Sequence, residues 1–123
     1  KNNHSLVLKT SYQDVSLLLT GDLEHEAETW LAAHHPEPAT ILKVGHHGSK
    51  TSTTEPLLQA TNPSLSFVSC GQNTRYGHPH PEVVRRLTRR AIPLWRTDLH
   101  GSVRLQISQT SEILVQTRHR TPW

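Results

Sequence analysis

The chain has no methionine and only one cysteine, Cys70, among its 123 residues. One thiol cannot make a disulfide framework, and the paired cysteines of a zinc finger are excluded. Aromatic residues make up 5% and hydrophobic residues 33%, with a mean hydropathy of −0.56, so any core is modest. No apolar run approaches the roughly 18 residues that cross a bilayer, and no charged-then-apolar leader opens the chain. G-x-G-x-x-G, the P-loop and the G-x-S-x-G nucleophile turn are all missing. Disulfide-stapled, nucleotide-cradling and serine-hydrolase classes are thereby set aside. A gene product starts with methionine, so the expectation is a segment of a longer protein whose anchor or targeting signal lies elsewhere. At 13.9 kDa it is one domain or a piece of one.

Histidine is plentiful: ten residues, beside 13 Lys and Arg and 10 Asp and Glu, for a formal net charge of +3. The pI of about 9.4 is compatible with a polyanionic partner without requiring one.

Two apolar, partly β-branched runs, residues 5–10 and 14–20, flank a short polar stretch and predict a hairpin. Leu23, Ala27, Trp30 and Leu31 then fall on one face of a helix, which Pro36 and Pro38 stop. Residues 40–44 predict a buried strand running into Gly45-His46-His47-Gly48-Ser49. A short helix is expected near 55–61, with Pro56 in its first turn, and a strand over 65–69. Residues 71–81 form a loop rich in glycine, proline and histidine. A helix over 81–91 turns Val83, Val84 and Leu87 inward and Arg85, Arg86, Arg89 and Arg90 outward. Strands at 93–96, 102–108 and 112–117 precede a tail from Arg118. Strands alternating with helices indicate an α/β arrangement with a mixed sheet. The histidine-bearing loops follow strands, on the edge where such folds place their sites. Trp30 and Trp95 are expected in the core, and His4, His25, His34, His35, His100 and His119 on the surface.

Three clusters carry candidate chemistry. His46 and His47, between glycines, sit on backbone that can approach a ligand closely. On an extended strand their side chains point to opposite sides, so the pair is not expected to hold one ion together; the plain alternative is a solvated pair. Asp22, at a strand-to-helix junction, reads as a helix N-cap with Glu24 and Glu26 in the first turn, or as a carboxylate bridging two cations; the two roles are compatible. The third cluster is Asn73, Arg75, Tyr76, Gly77, His78, Pro79 and His80, just before a helix N-terminus, where phosphate is attracted. That loop has the groups to grip a phosphate and protonate a leaving oxygen, although an ordinary proline-rich loop has the same composition. The arginine stripe either tracks a nucleic-acid backbone or is a solvated face. Its like-charge i,i+4 spacing mildly disfavours a partnerless helix. Nothing around Cys70 argues for a nucleophile.

In order, Leu19-Thr20-Gly21-Asp22, Leu42-Lys43-Val44-Gly45-His46-His47-Gly48-Ser49, Asn73 to Val83, Thr97-Asp98 and Gly101-Ser102-Val103 resemble one family over nearly the whole chain. It is the ComEC family, the membrane channels of bacterial competence and DNA uptake, in its C-terminal metallo-β-lactamase-like domain. The resemblance implies an αβ/βα sandwich with a metal site between two sheets, of which this chain is the C-terminal half. It implies that Asp22 bridges two divalent metal ions, zinc or manganese, with His46, or else His47, as a late ligand. It also implies that His78 and His80 bind phosphate or donate a proton; from the residues themselves, Asn73, Arg75, Tyr76 and Ser49 are expected to contact the phosphate and Arg85 and Arg89 to steer DNA. The implied activity is hydrolysis of the DNA strand not taken up, on the extracytoplasmic side. The family's H-x-H-x-D-H or H-x-D-x-D-H motif does not occur here. The chain alone is therefore expected to be inactive, to bind metal weakly or not at all, and to expose a sheet face open to dimerisation. A non-catalytic DNA-binding scaffold and a hydrolase of small phosphoesters remain the alternatives.

Overall fold

A computed structural model describes residues 2–72 and 75–119. The expected hairpin is present as strands β1 (Leu8–Tyr12) and β2 (Val15–Leu19). Helix α1 (His25–His34) leads to β3 (Ile41–Lys43), and α2 (Glu55–Thr61) to β4 (Leu65–Val68). Helix α3 (Pro81–Arg89) leads to β5 (Leu94–Arg96); the short α4 (Thr97–His100) and the strands β6 (Val103–Ile107) and β7 (Ile113–Thr117) follow. The sheet is mixed, in the order β1-β2-β3-β4-β5, and every pairing beyond the first hairpin is parallel. The C-terminal hairpin does not join it, but makes a separate two-stranded sheet.

Strand order equal to chain order has a geometric consequence. Right-handed crossovers between adjacent parallel strands bring every crossover helix to the same face. The core reflects this. Leu18, Leu42, Val68 and Leu94 pack with Leu57 and Leu58 of α2, Val83 and Leu87 of α3, and Leu31 of α1. The opposite face carries Leu17, Leu19, Leu65, Phe67 and Trp95, all only partly buried, around Ile41.

Four sequence expectations are corrected. Helix α1 starts at His25, after Leu23, and its buried residue is Glu28, not Trp30, which is 54% exposed and stacks on His34. Trp95 is on the partly covered sheet face. His100 is buried, where its ring meets Trp95 and its Nδ1 accepts the Arg96 N–H at 2.9 Å. The arginine face is not uniformly solvated: Arg86 reaches the carbonyls of Lys50, Ser52 and Thr53, and Arg90 pairs with Glu55 at 2.7 Å.

Candidate functional site

The three motif loops follow the C-terminal ends of β2, β3 and β4, which are aligned by parallel register through Leu19, Lys43 and Phe67. They are also sewn together by backbone. The His46 N–H donates to the Gly21 carbonyl at 2.9 Å, beside Asp22, and the His80 N–H donates to the Gly48 carbonyl at 2.8 Å. Two glycines make these approaches possible. A Cβ on Gly45 would lie 3.0 Å from Thr20 Oγ1. One on Gly48, whose φ is +87°, would lie 2.6 Å from Pro79 Cβ, closer than any real contact.

The histidine pair is not extended. Residues Gly45–Gly48 form a tight 3₁₀-like turn in which His46 and His47 take left-handed φ values of 46° and 54°. That conformation costs a side-chain-bearing residue about 1–2 kcal/mol. It also overturns the expectation of opposed side chains, because both rings line one pocket. This pocket, of about 420 Å3, is also lined by Cys70, Gly71, Tyr76 and His78. His46 and His78 meet edge to face at 6.2 Å, and Tyr76 stacks on His78 at 5.8 Å.

Hydrogen bonds fix two tautomers. His47 Nδ1 lies 2.9 Å from the Ser69 carbonyl, which can only accept, so Nδ1 carries the proton and Nε2 is an acceptor. His80 is opposite: its Nδ1 accepts the Glu82 N–H at 3.1 Å as the cap of α3, leaving Nε2–H as a donor in the neutral ring. His78 is held below the usual imidazole value of 6.5, first by burial and then by His46, His47 and His80. It is therefore neutral at pH 7. Burial, then the hydrogen bond to Asp98, pushes the Cys70 thiol up to about 11, which keeps it protonated and unreactive.

The remaining candidates divide. Asp22 is partly buried in the turn after β2, its N–H held by Ser5 Oγ at 3.1 Å, and it does not line the pocket. It is not a helix cap, since that position falls to Glu24, which makes no side-chain cap bond. Ser49 Oγ pairs with Thr51 Oγ1 at 3.0 Å. Arg75 lies over the exposed Tyr76 ring and donates to its hydroxyl at 3.2 Å. Arg85 pairs with Glu82, whereas Arg89 is exposed and makes no ion pair among the described residues. Asn73 lies outside the described residues.

Sequence reading missed Glu24 in this site. Its Oε1 accepts from Thr51 Oγ1 at 3.3 Å and lies 3.9 Å from His46 Nδ1. Among the described residues, the buried side-chain polar atoms without a hydrogen-bond partner are that His46 Nδ1 and Thr20 Oγ1, both at the seam between the first two loops. Such atoms are rare in folded proteins and call for a functional explanation. No three His, Cys, Asp or Glu side chains among the described residues are arranged to hold an ion, whereas a catalytic zinc takes about three protein ligands.

No family model matches the chain. It is 46% identical over 104 residues to ComE operon protein 3 of Bacillus subtilis, covering 84% of this chain and 13% of that protein. It is 37% identical over 123 residues to Recombination protein 2 of Haemophilus influenzae, covering 99% of this chain and 16% of that protein. Competence protein ComA of Neisseria gonorrhoeae is 34% identical over 110 residues, 88% of this chain and 16% of its own length. The chain thus spans only 13% to 16% of these relatives. With the ordered T-G-D, H-H-G-S and Y-G-H-P-H-P motifs meeting at one seam, these identities mean that the chain belongs to the ComEC family of competence proteins.

Proposed function

We propose that this chain is the substrate-side part of a phosphodiester-hydrolysing domain that acts on DNA during competence uptake, degrading the strand not taken up. The observation that carries this reading is the seam itself. Two interloop backbone hydrogen bonds and two glycine contacts bring the Asp22 turn, the His46-His47 turn and the His78-Pro79-His80 segment together. Chemistry at the pocket follows from the ring states. In the pocket, neutral His78 and the Nε2 of His47 are acceptors and the Tyr76 hydroxyl is a donor; His80 Nε2–H, Arg75 and Ser49, in the adjoining loops, add donors for phosphoryl oxygens.

A divalent-metal pair, zinc or manganese, enters this reading only with ligands from outside the described residues. Asp22 and His46 would be this chain's share of them. The partly covered sheet face supports a sandwich of the metallo-β-lactamase kind, in which a second half lies over Leu19, Phe67 and Trp95. The extracytoplasmic side is part of the same proposal. Among the described residues no helix is long and apolar enough to cross a membrane.

Full-length protein tests the reading. Asp22→Ala is expected to abolish DNA hydrolysis at unchanged DNA affinity. His78→Ala is expected to lower hydrolysis by about a hundredfold or more. Wild-type hydrolysis in both variants would overturn the reading. Wild-type protein that binds DNA but never cuts it would leave the scaffold alternative. Faster turnover of a small phosphodiester than of DNA would favour the phosphoester hydrolase.

A further inference from the structure

We infer that Glu24 is a positioning residue for His46, its carboxylate holding the proton on Nδ1 so that Nε2 is the ring nitrogen offered to the pocket. This rests on the proposed hydrolytic reading only for its effect on activity; the tautomer itself follows from geometry. His46 Nδ1 is buried and has no hydrogen-bond partner, and the Glu24 Oε1 lies 3.9 Å away. That separation is beyond a hydrogen bond, but a lone pair on Nδ1 would face an anionic oxygen across it, which is unfavourable. A proton there turns the contact into attraction, and a movement of about 1 Å makes a charge-assisted bond.

Glu24 is held for this role at its side chain and at its backbone. Its Oε1 accepts from Thr51 Oγ1 at 3.3 Å, and that hydroxyl pairs with Ser49 Oγ in the segment immediately after the histidines. Its backbone N–H is held by Asn3 Oδ1 at 3.2 Å. The His46 backbone is fixed independently by the Gly21 carbonyl, so carboxylate and ring face each other across a rigid seam. His47 reaches the same protonation pattern by another route, through the Ser69 carbonyl. Two adjacent rings with Nε2 free as acceptors suit the grasping of a proton or a cation. An outer carboxylate or carbonyl commonly orients such an imidazole.

The test uses full-length protein with ¹⁵N-labelled histidine, the His46 signals being assigned by their loss in His46→Ala. The expected wild-type spectrum shows His46 as the Nδ1–H tautomer, and Glu24→Ala shifts it towards Nε2–H. Glu24→Gln, whose amide oxygen still accepts, retains the wild-type pattern. DNA hydrolysis is read in parallel: Glu24→Ala lowers kcat by about 10–100-fold with KM nearly constant, and Glu24→Gln recovers most of the loss. An Nε2–H tautomer in the wild type, or a Glu24→Ala variant with unaltered tautomer and kcat, overturns the inference. Failure of the hydrolytic reading alone would appear as no DNA cutting by the wild type. The ring spectra would then still decide for or against Glu24.

Discussion

His78 has the most informative titration of the site. Burial and the three neighbouring imidazoles all disfavour its charged form, so its folded-state pKa lies below the ordinary 6.5. The unfolded chain then binds the extra proton first as pH falls. The contribution of His78 to stability is complete above about 6.5 and is lost as pH drops through that value towards the folded pKa. We expect the His78 ring resonance to titrate below 6.5 and to move upward in a His46→Ala, His47→Ala double variant, which removes two of the three neighbouring imidazoles but neither His80 nor the burial. A midpoint at or above 6.5 in the wild type would contradict the packing described. Composition could flag the histidines but not the states of His46 and His47, because the atoms that set them belong to distant segments. The Ser69 carbonyl and the Glu24 carboxylate each reach their ring through tertiary structure, whereas the Glu82 N–H that sets His80 is only two residues away.

Helix α3 divides its four arginines between two jobs. Arg86 donates to the carbonyls of Lys50, Ser52 and Thr53, while on the other side the buried Glu28 accepts the N–H groups of Thr53 at 2.7 Å and Thr54 at 2.9 Å. The segment between the histidine turn and α2 is thus clamped by a cation on its carbonyls and an anion on its amides. Burial raises the Glu28 pKa, although the Thr54 and Thr53 bonds and Arg86 pull the other way. Glu28→Ala should destabilise the fold by about 3 kcal/mol in chemical denaturation, since it strands buried donors and leaves the Arg86 side unbalanced. Arg89, with no ion pair among the described residues, should behave differently. Arg89→Ala should leave stability unchanged and, if the helix meets DNA, reduce the slope of log affinity against log salt by about 0.7–0.9. Equal salt slopes for variant and wild type would assign Arg89 to the solvent. The sequence made the existence of α1, α2, α3 and every strand legible through periodicity and proline punctuation. It misdirected the inward face of α1 at Trp30, which fits the helical period with Leu23 and Leu31 but is exposed, while the helix's own buried residue is the acid Glu28. Its partners are backbone groups some 25 residues away, which no local pattern encodes.

The two faces of the sheet are covered unequally. Helices α1, α2 and α3 cover the side of Leu18, Leu42 and Leu94, whereas Leu19, Phe67 and Trp95 on the other side keep partial contact with water. The 123-residue chain produced alone should therefore self-associate through that face, and Phe67→Lys should shift it towards monomer in sedimentation velocity with its circular dichroism preserved. A strictly monomeric wild type at high concentration would show the face to be adequately covered. The sequential strand order has a temporal meaning as well. As the chain emerges from the ribosome, each parallel strand can dock beside the one made just before it. The turn bearing Asp22 is in place when His46 arrives, and Gly48 is in place when Pro79 arrives. The pocket can thus close by short-range, vectorial steps before the last hairpin is synthesised, with no late strand needing to be threaded into the middle of the sheet.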